Sequence, residues 1–128
     1  MYFISDENSN SPIVCNVPHS GTLIPEDYKK DYVVSQDELD KEILYMADNY
    51  TDELYRELLL ISSYIKSKLS RVVLDIERFK NEHDEPMSQV GMAALYTKTS
   101  SGAELRNIST KSKEDLENAY DEYHNTFS

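Results

Sequence analysis

Apolar positions along this chain follow two rhythms. Short runs rich in β-branched and aromatic residues read as strands: Tyr2-Phe3-Ile4, Ile13-Val14-Cys15-Asn16-Val17 and Arg71-Val72-Val73-Leu74-Asp75-Ile76, the last two as buried ones. Between the second and third runs, Leu39, Ile43, Ala47, Tyr50, Leu54 and Leu58 recur at three- and four-residue steps. That stripe predicts one amphipathic helix of about 23 residues, roughly 35 Å long. Ser35 precedes it as an N-cap, and Glu38 three residues on has capping-box spacing. A second stripe, Leu116, Ala119, Tyr120, Tyr123 and Phe127, predicts a last helix opening near Thr110 or Ser112.

Polar punctuation separates these segments. Asp6 to Pro12 is a turn region, Pro25 to Val34 is irregular or briefly helical, and Glu77 to Gln89 is an acidic loop broken by Pro86. The pattern of Ser63 to Ser70 is ambiguous, and Met92 to Thr97 suits either a strand or one helical turn.

The predicted order is β, β, α, β, loop, α. A long helix between two apolar strands is a βαβ unit. The chain is therefore read as one α/β domain over residues 1–128, with a mixed or mainly parallel sheet flanked by helices. The final helix has no strand after it, so the sheet looks incomplete in its second half. An uncovered edge strand invites pairing, which predicts self-association.

Composition narrows the partners. Among 128 residues there are 13 Lys and Arg against 24 Asp and Glu, a net charge of −11. A binder of nucleic-acid backbone or of an anionic membrane surface would carry the opposite sign. A single cysteine, Cys15, makes no internal disulfide and reads as core within its strand. Apolar runs such as Leu58 to Ile61 are far shorter than the roughly 20 residues that span a bilayer. No signal-peptide pattern opens the chain, and a cytoplasmic location is the expectation.

In open α/β sheets, ligands bind outside the carboxyl ends of strands. Two polar clusters fall at such ends: Pro18-His19-Ser20-Gly21-Thr22, and Asp75-Ile76-Glu77-Arg78-Phe79. With parallel strands both would share one rim, bringing His19 near Asp75, Glu77 and Arg78. An imidazole with carboxylates can hold zinc, and a guanidinium beside it can grip a substrate carboxylate. Blander readings stand beside these. His19 also suits a loop histidine without a ligand, and Arg78 an ion pair with Glu77 or Asp75. His83 sits in an acidic loop that reads as solvated, and His124 can face either way. Ser20 adjoins His19, an arrangement that seldom aligns nucleophile and base. No G-x-S-x-G elbow, P-loop, dinucleotide fingerprint or His-Glu-x-x-His helix occurs, and no catalytic acid or base is assigned.

Four blocks in order resemble the N-formylglutamate amidohydrolases. Pro18 to Thr22, with Pro25, resembles that family's Pro-His-Ser/Pro-Gly-Thr opening. Ala47 to Tyr55 resembles its Asp-bearing helix segment, and Arg71 to Phe79 its strand ending in Asp-Leu-Asn-Arg or Asp-Val-Glu-Arg-Phe. Glu85-Pro86-Met87, Val90-Gly91-Met92, Leu95-Tyr96-Thr97 and Gly102 to Arg106 resemble its glycine-centred loop. The family's fold is similar to that of zinc carboxypeptidases, the phosphorylase/hydrolase-like type. The resemblance implies zinc-dependent hydrolysis of an N-formyl or other N-acyl amino-acid amide, releasing formate and glutamate in histidine breakdown. It implies His19 and Asp48 as metal ligands, with Ser20, Arg78 and Arg106 on the substrate. Glu77 stands where the family has Asn. The family runs to about twice this length, and its second half supplies a further histidine for the metal. The resemblance thus covers the N-terminal half, and it leaves open a complementary chain or a non-catalytic module that keeps the fold.

Overall fold

The structure, a computed structural model, describes residues 2–49 and 51–127, without the side chains of Asp52 and Leu54. Strands β1 (Phe3–Asp6), β2 (Val14–Val17) and β3 (Ser63–Ser67) form a mixed sheet in the order β1-β3-β2. β1 runs antiparallel to β3, with Phe3 opposite Ser67, and β2 runs parallel to it, with Asn16 opposite Ile65. A βαβ unit is therefore present, as the apolar pattern predicts, but its second strand is Ser63–Ser67 rather than Arg71–Ile76.

Between β2 and β3 lie α1 (Glu26–Lys29), α2 (Gln36–Met46), α3 (Thr51–Leu54) and α4 (Arg56–Ile61). Ser35 caps α2 as expected, its hydroxyl accepting the Glu38 N–H at 3.2 Å. The single long helix does not form. α2 stops at Ala47, whose backbone turns extended (φ −77°, ψ 143°). The Asp48 N–H then donates to the His19 carbonyl at 2.9 Å instead of continuing the helical ladder. Asn49 returns its side-chain amide to the Leu44 carbonyl, and the Thr51 hydroxyl binds the Asp48 carbonyl. A run of Asp, Asn and Thr offers the backbone such local alternatives to a helix. Leu39 and Ile43 of the predicted stripe are buried and Leu58 is half-buried. Tyr50 and the Leu54 side chain fall outside the described residues.

The segment Arg71–Ile76 is a correction of a different kind. Val72, Val73, Leu74 and Ile76 are at most 2 % exposed, so burial follows the pattern, yet the chain turns at Ser70. The Ser70 carbonyl accepts the N–H groups of Val73 and Leu74. Backbone groups that a sheet would satisfy meet distant partners instead. The Val72 carbonyl accepts from the Tyr32 hydroxyl and the Val73 carbonyl from Arg106, while the Asp75 N–H donates to the Ala94 carbonyl. His124 binds the Ile76 carbonyl at 2.8 Å through Nε2 while the residue as a whole stays exposed. A buried loop is stable once its polar groups are paired, whatever pairs them.

Helix α5 (Thr110–Asn125) opens at Ser109, whose hydroxyl accepts the Ser112 N–H, and buries Leu116, Ala119 and Tyr123. Phe3 of β1 meets the Tyr123 ring edge-on at 5.0 Å, and the Tyr123 hydroxyl reaches the Ile65 carbonyl. Two 3₁₀ turns, Glu82–Asp84 and Pro86–Val90, occupy the predicted acidic loop. Buried Glu85 clips it together by accepting the N–H groups of Phe79 and Met87. Met92 to Thr97 is neither strand nor helix. β2 is an edge strand, and its expected burial is only partial: Ile13 and Val14 are 41 % and 59 % exposed, and Cys15 is half-buried. None of the described helices is long and apolar enough to cross a membrane.

Candidate functional site

His19 lies two residues beyond β2, where the chain leaves the sheet. Gly21 lets it do so. A Cβ there would lie 2.6 Å from the Leu69 carbonyl oxygen and nearer still to the Lys68 backbone. The Leu23 N–H donates to the Lys68 carbonyl and the Ser70 N–H to the Leu23 carbonyl, extending the parallel pairing past the turn. No side chain fits in that approach, which is the physical reason for glycine here.

The His19 ring is held between two carboxylates. Its Nε2 lies 2.7 Å from Asp75 Oδ1, and its Nδ1 lies 3.7 Å from Asp48 Oδ2. The helix break described above places Asp48 there, because the same residue's N–H is tied to the His19 carbonyl. Asp48 is 56 % exposed, His19 only 11 %, and Asp75 fully buried.

Asp75 is the hub of the cluster. Oδ1 takes the His19 Nε2 and the Glu77 N–H (3.1 Å). Oδ2 takes the Tyr96 hydroxyl at 2.6 Å and the Arg71 Nη2 and Nε at 2.9 and 3.2 Å. Arg78 Nε stands 3.6 Å from Oδ2. Burial opposes the charge of Asp75. The hydrogen bonds from His19 and Tyr96, with the charges of His19 and Arg71, outweigh it and hold the carboxyl well below its usual range. Burial first, then the Asp75 charge, pushes the Tyr96 hydroxyl up to about 12. A carboxylate only accepts, so His19 Nε2 carries the proton and donates. In a neutral imidazole that leaves the Nδ1 lone pair on the side of Asp48.

Of the residues singled out from sequence, His19 and Arg78 thus stand at the Asp75 carboxylate, and Asp48 at the other nitrogen of the His19 ring. Arg78 is 24 % exposed at its side chain, and among the described residues its buried Nε has no hydrogen-bond partner. Ser20 is half-buried in the wall of a neighbouring cavity of about 620 Å³, with Thr22, Lys29 and Lys68 also on its lining. Arg106 is a correction. It is 2 % exposed, and its guanidinium donates to the Tyr96 and Val73 carbonyls and the Tyr32 hydroxyl. Those bonds turn it inward as a brace of the buried loop, not outward to a substrate. Glu77 accepts from the Asn16 side chain at 2.7 Å. His83 is exposed on its 3₁₀ turn. Sequence reading did not single out Arg71 or Tyr96. Arg71 stands four residues before Asp75, a spacing that could have suggested a pair, but Tyr96 carried no local signal.

The donor set suits half of a metal centre. Zinc bonds nitrogen and oxygen at about 2.0–2.2 Å. Nδ1 and the Asp48 carboxylate are too far apart for a hydrogen bond, yet close enough to share such an ion. A metal-binding imidazole commonly gives its other N–H to a carboxylate, as His19 does to Asp75. Among the described residues no group of three or more His, Cys, Asp or Glu is arranged to hold a metal, so further ligands would come from elsewhere.

Comparison with known proteins bears on the family and the fold. A sequence model described as N-formylglutamate amidohydrolase matches residues 11–128. Among solved structures, the N-formylglutamate amidohydrolase of Ralstonia eutropha JMP134 has a similar fold, with a TM-score of 0.77 at 18 % identity. The similarity covers 96 % of this chain and 49 % of that one, so the chain spans about half the length of that relative. No curated protein matches.

Proposed function

The chain belongs to the N-formylglutamate amidohydrolase family, and from that premise we propose that His19, Asp48 and Arg78 form part of a metal-dependent site for hydrolysing an N-formyl or other N-acyl amino acid. The observation that carries this reading is the His19 ring, fixed through Nε2 by a buried carboxylate with Nδ1 toward Asp48. His19 and Asp48 would be zinc ligands, and Arg78 would bind the substrate's carboxylate. The Arg78 side chain stays 24 % exposed beside Asp75, which supports that role. Zinc held there would supply a Lewis acid for the amide carbonyl and an activated water. Asp75 keeps the imidazole oriented, and Glu77, tied to Asn16, borders the same segment. The products would be formate and glutamate when the substrate is N-formylglutamate, as in histidine breakdown in the cytoplasm.

The remaining ligand would come from further polypeptide packed along the open edge of β2. Val14 on that edge and Leu60 and Ile61 of α4 are 59 %, 78 % and 60 % exposed, and the similarity to the solved relative leaves half of that chain uncovered. The test is metal content and formate release from N-formylglutamate, measured with and without added zinc. Zinc bound by the parent protein and lost in His19→Ala and Asp48→Ala supports the reading. No zinc binding and no formate, even with zinc supplied, would leave a non-catalytic module.

A further inference from the structure

The cavity of about 620 Å³ that Ser20 borders has a charge opposite to that of the chain around it. Three lysines line it, Lys29, Lys66 and Lys68, against one acid, Asp40. The chain as a whole carries −11. We propose that this cavity is a binding site for a small organic anion, with a doubly charged oxyanion head among the lysines and a hydrocarbon body against the apolar wall. The site stands apart from the metal reading, and nothing in its test requires zinc.

The lysines come from separate segments. Lys29 lies on α1, Lys66 in β3 and Lys68 just beyond β3. The fold gathers them because the chain after β3 runs on beside the turn after His19. Leu23 pairs there with Leu69, and the Leu23 N–H donates to the Lys68 carbonyl at 3.0 Å. Like charges on one concave surface repel, and low-dielectric walls focus their field. A bound anion relieves that repulsion. Lys29 meets Glu26 at 2.8 Å, but Glu26 is 84 % exposed, and a surface pair of this kind is worth little against a bound anion. Lys68 is exposed and makes no ion pair among the described residues. The Gln36 amide donates to Asp40 at 2.8 Å and engages part of its charge. Three positive charges against one negative leave two, which a phosphate monoester or a dicarboxylate matches.

The rest of the lining suits the rest of such a molecule. Ser20, Gly21 and Thr22 form one wall. Among the described residues their backbone N–H groups and the Ser20 and Thr22 hydroxyls make no hydrogen bond, so these donors are open to a ligand oxygen. Ile4, Leu23, Ile24 and Ile43 supply apolar surface that an inorganic ion would leave unused. The volume falls in the range of about 300–1,000 Å³ common to small-molecule sites.

The test is ¹H–¹⁵N correlation of the full chain, titrated at low ionic strength with phenyl phosphate, inorganic phosphate and glutarate. Saturable shifts of the Gly21 and Thr22 amides are expected, with phenyl phosphate about 10-fold tighter than inorganic phosphate. Lys29→Gln and Lys68→Gln, both at exposed positions, should each weaken binding about 3- to 10-fold and leave the rest of the spectrum in place. Lys111→Gln, 84 % exposed on α5 and outside the lining, should bind as the parent does. Raising the ionic strength from about 0.01 M to about 0.1 M shortens the screening length from about 30 Å to about 10 Å and should weaken binding. Glutarate binding more tightly than phenyl phosphate would assign the head to a dicarboxylate, the reverse order to a phosphate ester, and either supports the site. No saturable shift with any probe would overturn it, as would unchanged affinity in both cavity variants or an equal loss in Lys111→Gln. Inorganic phosphate binding as tightly as phenyl phosphate would overturn the assignment of an organic ligand.

Discussion

Replacing Asp75 by Asn changes one oxygen to an amide and removes the charge on which this cluster converges. Asp75 is fully buried and accepts from Arg71, Tyr96, His19 and the Glu77 N–H. Asn preserves shape but cannot accept at both ends, so at least one donor is left facing an NH₂ group. The Arg71 guanidinium, 16 % exposed at its side chain, loses its carboxylate partner. Breaking one side of a buried ion pair costs about 3–5 kcal/mol. We take the lower half, about 3 kcal/mol, because Arg71 retains some access to water. The sign of the pH dependence follows from the lowered pKa of Asp75. A depressed carboxyl contributes stability that is fully present above its unfolded value of about 3.9 and is lost as pH falls toward the folded value. Urea unfolding followed by circular dichroism at pH 7, and stepwise from about pH 4 down to about pH 2, measures both effects. Asp75→Asn should be less stable at pH 7 by about 3 kcal/mol. Below pH 4 the gap between parent and variant should narrow. A variant within about 1 kcal/mol of the parent at pH 7 would mean that the cluster does not hold a charged Asp75. An unchanged gap through the acid range would refute the pKa assignment.

Other substitutions probe the frame around the site. Gly21→Ala places a methyl against the Lys68 and Leu69 backbone and should cost about 1–3 kcal/mol or more, read from the urea midpoint. Arg106→Met strands the buried Tyr96 and Val73 carbonyls, at about 1–3 kcal/mol each, so its effect should appear in thermal unfolding. If Arg106→Met instead leaves stability intact and weakens binding of N-acyl amino acids in calorimetry, the bracing role assigned here is wrong. Leu116→Ala, at a fully buried position of α5, should cost about 2–5 kcal/mol, and a smaller loss would show that α5 packs loosely on the sheet.

Local chemistry was enough for several elements of this protein. The Ser35 cap, the opening of the last helix near Thr110, the first two strands and the glycine turn carrying His19 all follow from patterns a few residues long. So did the family, through four short blocks in order. Tertiary structure decided the rest. Arg71–Ile76 has the composition of a buried strand, and burial is what it has. Its hydrogen bonds go to Tyr32, Ala94, Arg106 and His124, partners that no window around the segment contains. The predicted long helix breaks because Asp48 bonds to a carbonyl 29 residues upstream, and that break sets its carboxylate beside the imidazole. Arg106 lies in a motif resembling a substrate anchor, yet three buried oxygens claim its guanidinium. Periodicity reports which side chains avoid water. Which backbone groups pair, and therefore which polar side chains meet, is settled only when distant segments compete for the same buried partners.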